Sequence, residues 1–237
     1  SAVTAEPAAD AQADAQTASD NSAEDAAAEA DSVPEDQLLS SREQFSVAAK
    51  AALLIDLNTN RVVYEQDADE RIYPASLTKI MTCLIALENG NLSDVVTVSE
   101  SALADLDEDS SVAGLVVGEQ MTLENLLYCM MVVSGNDACN VIAEHVAGSV
   151  TDFVRMMNQR AYELGCTNTH FNNPHGLHDE SHYTTARDLA IITQAALKSE
   201  NFRQIVDTYE YKLPDDNMRQ NIPKLKTTNM LIYQSMS

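Results

Sequence analysis

The chain has 237 residues, with 37 aspartates and glutamates against 14 lysines and arginines, and a formal net charge of −23. So acidic a balance repels nucleic acid and anionic lipid, which excludes both as expected partners. No run approaches the roughly 18 apolar residues of a membrane-crossing helix, and no basic segment leads into an apolar stretch at the start. A mature exported protein would share that pattern.

Residues 1–44 carry eleven acidic side chains and one basic one, Arg42, in a background of Ala, Ser, Gln and Thr. Such a segment buries too little apolar surface to offset its ordering entropy, so it reads as a disordered, acidic, Ala-rich tether. Order is expected from about Val47, which makes 45–237 the folded part. Ala51–Leu57 is short, apolar and bounded by turn residues, the pattern of a buried strand. Asn58-Thr59-Asn60 then turns the chain, and Arg61–Glu65 returns it as a hairpin.

Pro74 breaks the chain, and an apolar helical period (Ile80, Met81, Leu84, Ile85, Leu87) predicts a helix over 76–88 with Gly90 as its C-cap. Thr122 is the predicted N-cap of a helix whose apolar face is Leu123, Leu126, Leu127, Met130 and Met131. Ser134-Gly135-Asn136 interrupts it, and a further helix over 138–147 ends at Gly148. Another spans about 152–164 and closes at Gly165. Residues 166–184, rich in His, Asn and Gly, read as irregular. Thr185 with Asp188 resembles a capping box for a helix to about Lys198. Tyr209–Leu213 reads as a strand. Strands followed by many helices predict a mixed α/β or α+β fold, and no internal repeat is seen.

The four cysteines, Cys83, Cys129, Cys139 and Cys166, form no C-x-x-C pair. The first three sit inside apolar helical patterns, so buried free thiols are expected. Any disulfide connectivity is unreadable from sequence.

Two short motifs carry chemistry. Ser76-Leu77-Thr78-Lys79 sets a hydroxyl and an amine three residues apart at a helix start, hence on one face. A serine hydroxyl needs a base to become a nucleophile, and a lysine serves if burial or a nearby cation lowers its pKa. At a helix N-terminus the Ser76 N–H is placed to stabilise an oxyanion. By itself this spacing occurs by chance, and a capping Ser beside a solvated Lys is the simpler reading. Ser134-Gly135-Asn136 likewise suits an ordinary helix–turn–helix junction. Taken together, a hydroxyl and an amide two residues apart in a tight turn can enter the same cleft, the first to relay a proton and the second to bind the lysine and a substrate carbonyl.

In this order the two motifs resemble the penicillin-binding protein and serine β-lactamase superfamily. Tyr73–Thr82, Phe171–Leu177 and His182–Ala186, with the hairpin Ala52–Glu65, are similar to the low-molecular-weight D-alanyl-D-alanine carboxypeptidases over essentially all of 47–237. The resemblance implies a transpeptidase-like fold, an antiparallel sheet plus a helical subdomain. It implies Ser76 as nucleophile, Lys79 as base, Ser134 as proton relay and Asn136 as the substrate-binding amide. The implied substrate is the peptidoglycan stem peptide, with β-lactam antibiotics as covalent inhibitors and no cofactor or metal. The implied setting is extracytoplasmic, with any membrane attachment made through segments outside this sequence. The family also carries Lys-Thr-Gly on a cleft-lining strand. Lys226-Thr227-Thr228 is not read as that motif, because Thr228–Ile232 resembles the segment preceding it. The chain is therefore expected to stop short of that motif, with the sheet incomplete.

Three other readings remain open. A β-lactamase would need a deacylating base, for which 166–184 offers Glu180. A non-catalytic protein that kept the fold would explain the missing Lys-Thr-Gly. His175, His178, Asp179 and His182 suggest a metal site by spacing, but His-Glu-x-x-His is absent and the family resemblance accounts for much of the cluster.

Overall fold

The computed structural model describes residues 47–104, 106 and 110–229. The tether read over 1–44 lies outside them, as does the segment 230–232.

The chain opens with the expected hairpin, β1 (Ala52–Asp56) and β2 (Arg61–Gln66). The Asp56 carboxylate accepts the N–H of Asn58 and so tightens the turn, while Asn60 takes a left-handed φ of 55°. Pairing slips between Leu54 and Ile55, leaving Val63 as a bulge. The prediction of a buried strand holds only in part. Leu54 is 56 % exposed, because among the described residues β1 and β2 pair only with each other and only one face meets protein.

A short 3-10 turn, Ala75–Leu77, leads directly into α1 (Thr78–Asn89). Helix α1 is the axis of the core: Met81, Cys83, Leu84, Ile85 and Ala86 are buried. Gly90 closes it as expected but for a different reason. Its φ is −102°, not left-handed, and a Cβ there would lie 2.4 Å from Leu123 Cδ2. Glycine is required by close packing, not by backbone chirality.

The next three elements were not read from the sequence: β3 (Val95–Thr97), α2 (Glu100–Ala104) and β4 (Gln120–Thr122), with β3 and β4 antiparallel. Helices α3 (Leu123–Val132) and α4 (Asn136–Ala147) then pack against α1 and against each other. Thr122 caps α3 by accepting the N–H of Asn125. Leu123, Leu126 and Leu127 of α3 have no exposure, so each contributes about 1.5–3 kcal/mol of transfer free energy.

Helix α5 (Val150–Glu163) starts two residues before its predicted start, because Ser149 is the cap and accepts from Asp152. Helix α6 (Ala186–Ala196) packs on α1 and on β1. Thr185 caps it through the Asp188 N–H, but only half a capping box forms. The Asp188 carboxylate turns away to accept from Asn168 N–H and the Thr169 hydroxyl. A further helix, α7 (Glu200–Val206), follows, and the predicted strand shortens to β5 (Glu210–Tyr211), paired with β6 (Leu225–Lys226). The fold is mixed helix and antiparallel strand, as expected, with the described strands in three separate pairs around a helical core. All four cysteines are free and buried. Among the described residues no helix is long and apolar enough to cross a membrane.

Candidate active site

The four residues singled out by sequence meet at one place. Lys79, only 3 % exposed, directs its Nζ to Ser76 Oγ at 3.3 Å, to Asn136 Oδ1 at 2.8 Å and to the His175 carbonyl at 2.8 Å. Ser134 Oγ lies 3.0 Å from Ser76 Oγ and completes the cluster. Burial lowers the Lys79 pKa from its ordinary value, against the opposing pull of Cys139 and Asp137. The partners of Nζ are informative in themselves. Two are carbonyl oxygens, and each consumes an N–H. As an ammonium, Nζ donates to all three oxygens; once it has lost a proton it keeps two N–H bonds for the carbonyls, and its lone pair then faces the Ser76 hydroxyl.

Two strained turns present the hydroxyls. Ala75 sits at φ 47° and Ser134 at φ 61°, both in the left-handed region that a side chain disfavours. The first turn is clamped from below. Gly176, at φ 93°, lets the loop pass so close that a Cβ would lie 1.8 Å from the Ala75 carbonyl oxygen. The same loop receives Thr82 Oγ1 on the Pro174 carbonyl at 2.6 Å. The second turn is held by Gly135 N–H on the Cys129 carbonyl and Asn136 N–H on the Ser111 carbonyl. Ser111 begins a strap running to Glu119. Asp137, buried at the start of α4, gathers that strap by accepting from the N–H groups of Ala113, Gly114 and Leu115. Arg219 braces it from outside, donating to Glu119 and to the Gly114 carbonyl.

The histidine cluster is spent on structure. His182 bonds Thr78 Oγ1 and accepts from Asn172 N–H, and His175 Nδ1 accepts from Leu177 N–H. Burial lowers both pKa values to about 4. His178 packs its ring edge-on against Tyr73. Glu180 lies on an open cleft with Lys50, Arg71, Tyr73 and Tyr183. Lys226-Thr227-Thr228 forms the β5–β6 pair and its exit: Thr227 N–H bonds the Tyr209 carbonyl, and Thr228 N–H bonds the Val132 carbonyl.

The sequence reading missed the His175 carbonyl, Asp137 and the Thr78–His182 bond. A main-chain acceptor leaves no side-chain signature. Asp137 did stand beside Asn136 at a helix start, where an acidic residue is favoured.

A Ser-x-x-Lys turn facing a Ser-x-Asn turn, on helices flanked by an N-terminal hairpin, is the architecture of the penicillin-binding, transpeptidase-like class. Solved structures agree. The crystal structure of a Streptomyces DD-transpeptidase superposes with a TM-score of 0.74 at 32 % identity, covering 80 % of this chain and 77 % of that one. Penicillin-binding protein 5 from Haemophilus influenzae gives a TM-score of 0.73 at 34 % identity, covering 81 % and 56 %. The family model for D-alanyl-D-alanine carboxypeptidase (peptidase family S11) matches residues 38–237, and the chain belongs to that family. A curated relative, the D-alanyl-D-alanine carboxypeptidase DacF of Bacillus subtilis, is 42 % identical over 192 residues, 78 % of this chain and 47 % of its own length. The chain thus spans about half the length of such relatives.

Proposed function

We propose that this chain carries the serine–lysine part of a D-alanyl-D-alanine carboxypeptidase that trims the stem peptides of peptidoglycan. The observation that carries the reading is the contact of one buried amine with Ser76 Oγ and two carbonyl oxygens. Ser76 Oγ attacks the carbonyl joining the two terminal D-alanines while its proton passes to Lys79 Nζ. The Ser76 N–H, at the start of the helical run, helps to hold the oxyanion. Ser134, bridging to Ser76 Oγ, relays that proton to the departing amine, and free D-alanine leaves. The remaining ester on Ser76 is hydrolysed by water, with Lys79 taking the water's proton and returning it to Ser76. The Asn136 amide orients the substrate carbonyl while its oxygen holds Lys79.

β-Lactams present a strained amide to the same hydroxyl and acylate it. The peptidoglycan substrate puts the working site outside the cytoplasm, in the cell envelope. Residues 1–44, acidic and poor in apolar side chains, have the composition of a tether.

The test uses the product of the complete reading frame, a stem pentapeptide and a chromogenic cephalosporin. Release of D-alanine with only a burst of cephalosporin opening is the expected result. Sustained cephalosporin turnover would favour a β-lactamase, and neither reaction would favour a non-catalytic protein.

A further inference from the structure

We infer that His182 is a positioning residue for the Ser76–Lys79 pair, a crossbar between the first turn of α1 and the loop that supplies the carbonyl acceptor of Lys79. The inference rests on the carboxypeptidase reading. His182 is 2 % exposed and lies 104 residues from Thr78, yet its Nε2 sits 2.8 Å from Thr78 Oγ1. On its other side, Asn172 N–H points at Nδ1 from 3.1 Å. A backbone N–H can only donate, so Nδ1 carries no proton, and the neutral ring donates Nε2–H to Thr78. An imidazolium would set two donors against each other at Asn172.

Burial agrees, lowering the pKa to about 4. The titratable groups around the ring are Asp179, which raises it, and His170, which lowers it, with the buried His175 also coupled to it. Lys79 lies on the same turn as Thr78, and the Phe171 ring packs edge-on at 5.6 Å.

Both ends of the crossbar belong to the site. Thr78 stands between Ser76 and Lys79 in sequence. Asn172 opens the run 172–177, whose Pro174 and His175 carbonyls accept from Thr82 and Lys79 and whose Gly176 underlies Ala75. With His182 cut away, a buried hydroxyl and a half-buried N–H lose their partners. The loop is then free to slide along α1, taking the Lys79 acceptor with it. A misplacement near 1 Å costs about 100-fold in rate. His182 acts through Thr78 and Asn172, not on the substrate.

The experiment compares wild type with His182→Ala, His182→Gln and Thr78→Val in the product of the complete reading frame. It reads Ser76 acylation by a fluorescent penicillin, thermal unfolding, and the imidazole 15N shifts of His182. A glutamine amide also offers one acceptor and one donor, so His182→Gln should recover to within about fivefold of wild type. His182→Ala and Thr78→Val should acylate at least tenfold more slowly. The loss should fall on the rate constant within the complex, leaving the noncovalent penicillin affinity within twofold. In wild type, Nε2 should carry the proton and Nδ1 none between pH 8 and 6. Should His182→Ala fail to fold, Thr78→Val decides by the same criteria. Equal acylation rates in wild type and Thr78→Val, a glutamine variant as slow as a folded alanine variant, or a protonated Nδ1 at pH 7 would each overturn the inference alone. A wild-type protein that takes no label would overturn the carboxypeptidase reading, and the inference with it.

Discussion

The two turns that frame the cluster are held in opposite ways. Ala75–Leu77 rests on a bed of loop: main-chain carbonyls at 174 and 175 receive side chains of α1, and Gly176 lies against Ala75 with no room for a methyl group. Ser134–Asn136 is suspended from a strap, whose backbone N–H groups converge on the single carboxylate of Asp137. The first wall is packed directly against its loop. The second is held by two main-chain bonds and by a strap that Asp137 gathers and Arg219 braces. Both walls hold a residue at positive φ, so each has strain to contain, and the account predicts different sensitivities for the two.

The largest effect should come from the first wall. Gly176→Ala places a Cβ 1.8 Å from a backbone oxygen at φ 93°, and neither partner is a flexible side-chain end. We expect a loss of about 3 kcal/mol or more, or no folded protein, measured by urea unfolding with penicillin labelling lost in parallel.

Acidification should also strike the first wall, because His175 and His182 are buried there with pKa values lowered to about 4 from 6.5. The lowered value means that the unfolded chain binds the proton more readily. Their contribution to stability is therefore complete above pH 6.5 and is lost as pH falls towards 4. At about 1.4 kcal/mol per pKa unit, one such histidine accounts for roughly 3 kcal/mol at pH 4. Unfolding free energies measured from pH 7 to 4 should fall more steeply in wild type than in His182→Gln.

On the second wall, Asp137→Asn keeps one acceptor oxygen and turns an amide donor towards the N–H groups of Gly114 and Leu115. An expected loss of about 1–2 kcal/mol follows from two donors left unpaired, of which only the Leu115 N–H is buried. Hydrogen exchange should quicken at 113–115 and not at 172–177. If both loops loosen together, the two walls are not independent.

The smallest effect should lie away from both walls. Arg187 pairs with Glu65 and Asp69 at the surface, and Arg187→Ala should cost no more than about 1 kcal/mol, with acylation unchanged.

The sequence was most legible where the chemistry sits on side chains in regular elements. The apolar period of 76–88 set the helix that carries Lys79, and Thr122 and Thr185 marked the starts of α3 and α6 by their hydroxyls. It was least legible where the partner is main chain. Nothing in Phe171–Leu177 announces that its carbonyls receive Lys79 and Thr82, since any residue type provides a carbonyl. Strands β3 and β4 are three residues each, too short for alternation to show. Helix α7 had a capping signal at Ser199, which accepts from Phe202 N–H, but it lies directly behind a longer helical pattern. The burial predicted for β1 held only in part, because an apolar run does not say how many strands will pair beside it.

The central claim is that the Ser76 hydroxyl, activated by Lys79, takes the acyl group. Mass spectrometry of the penicillin-treated product of the complete reading frame tests it most directly. The account predicts one penicilloyl adduct on the peptide containing Ser76, absent in Ser76→Ala and formed at least 100-fold more slowly in Lys79→Ala. An adduct that persists in Ser76→Ala, or that maps to another side chain, would contradict it.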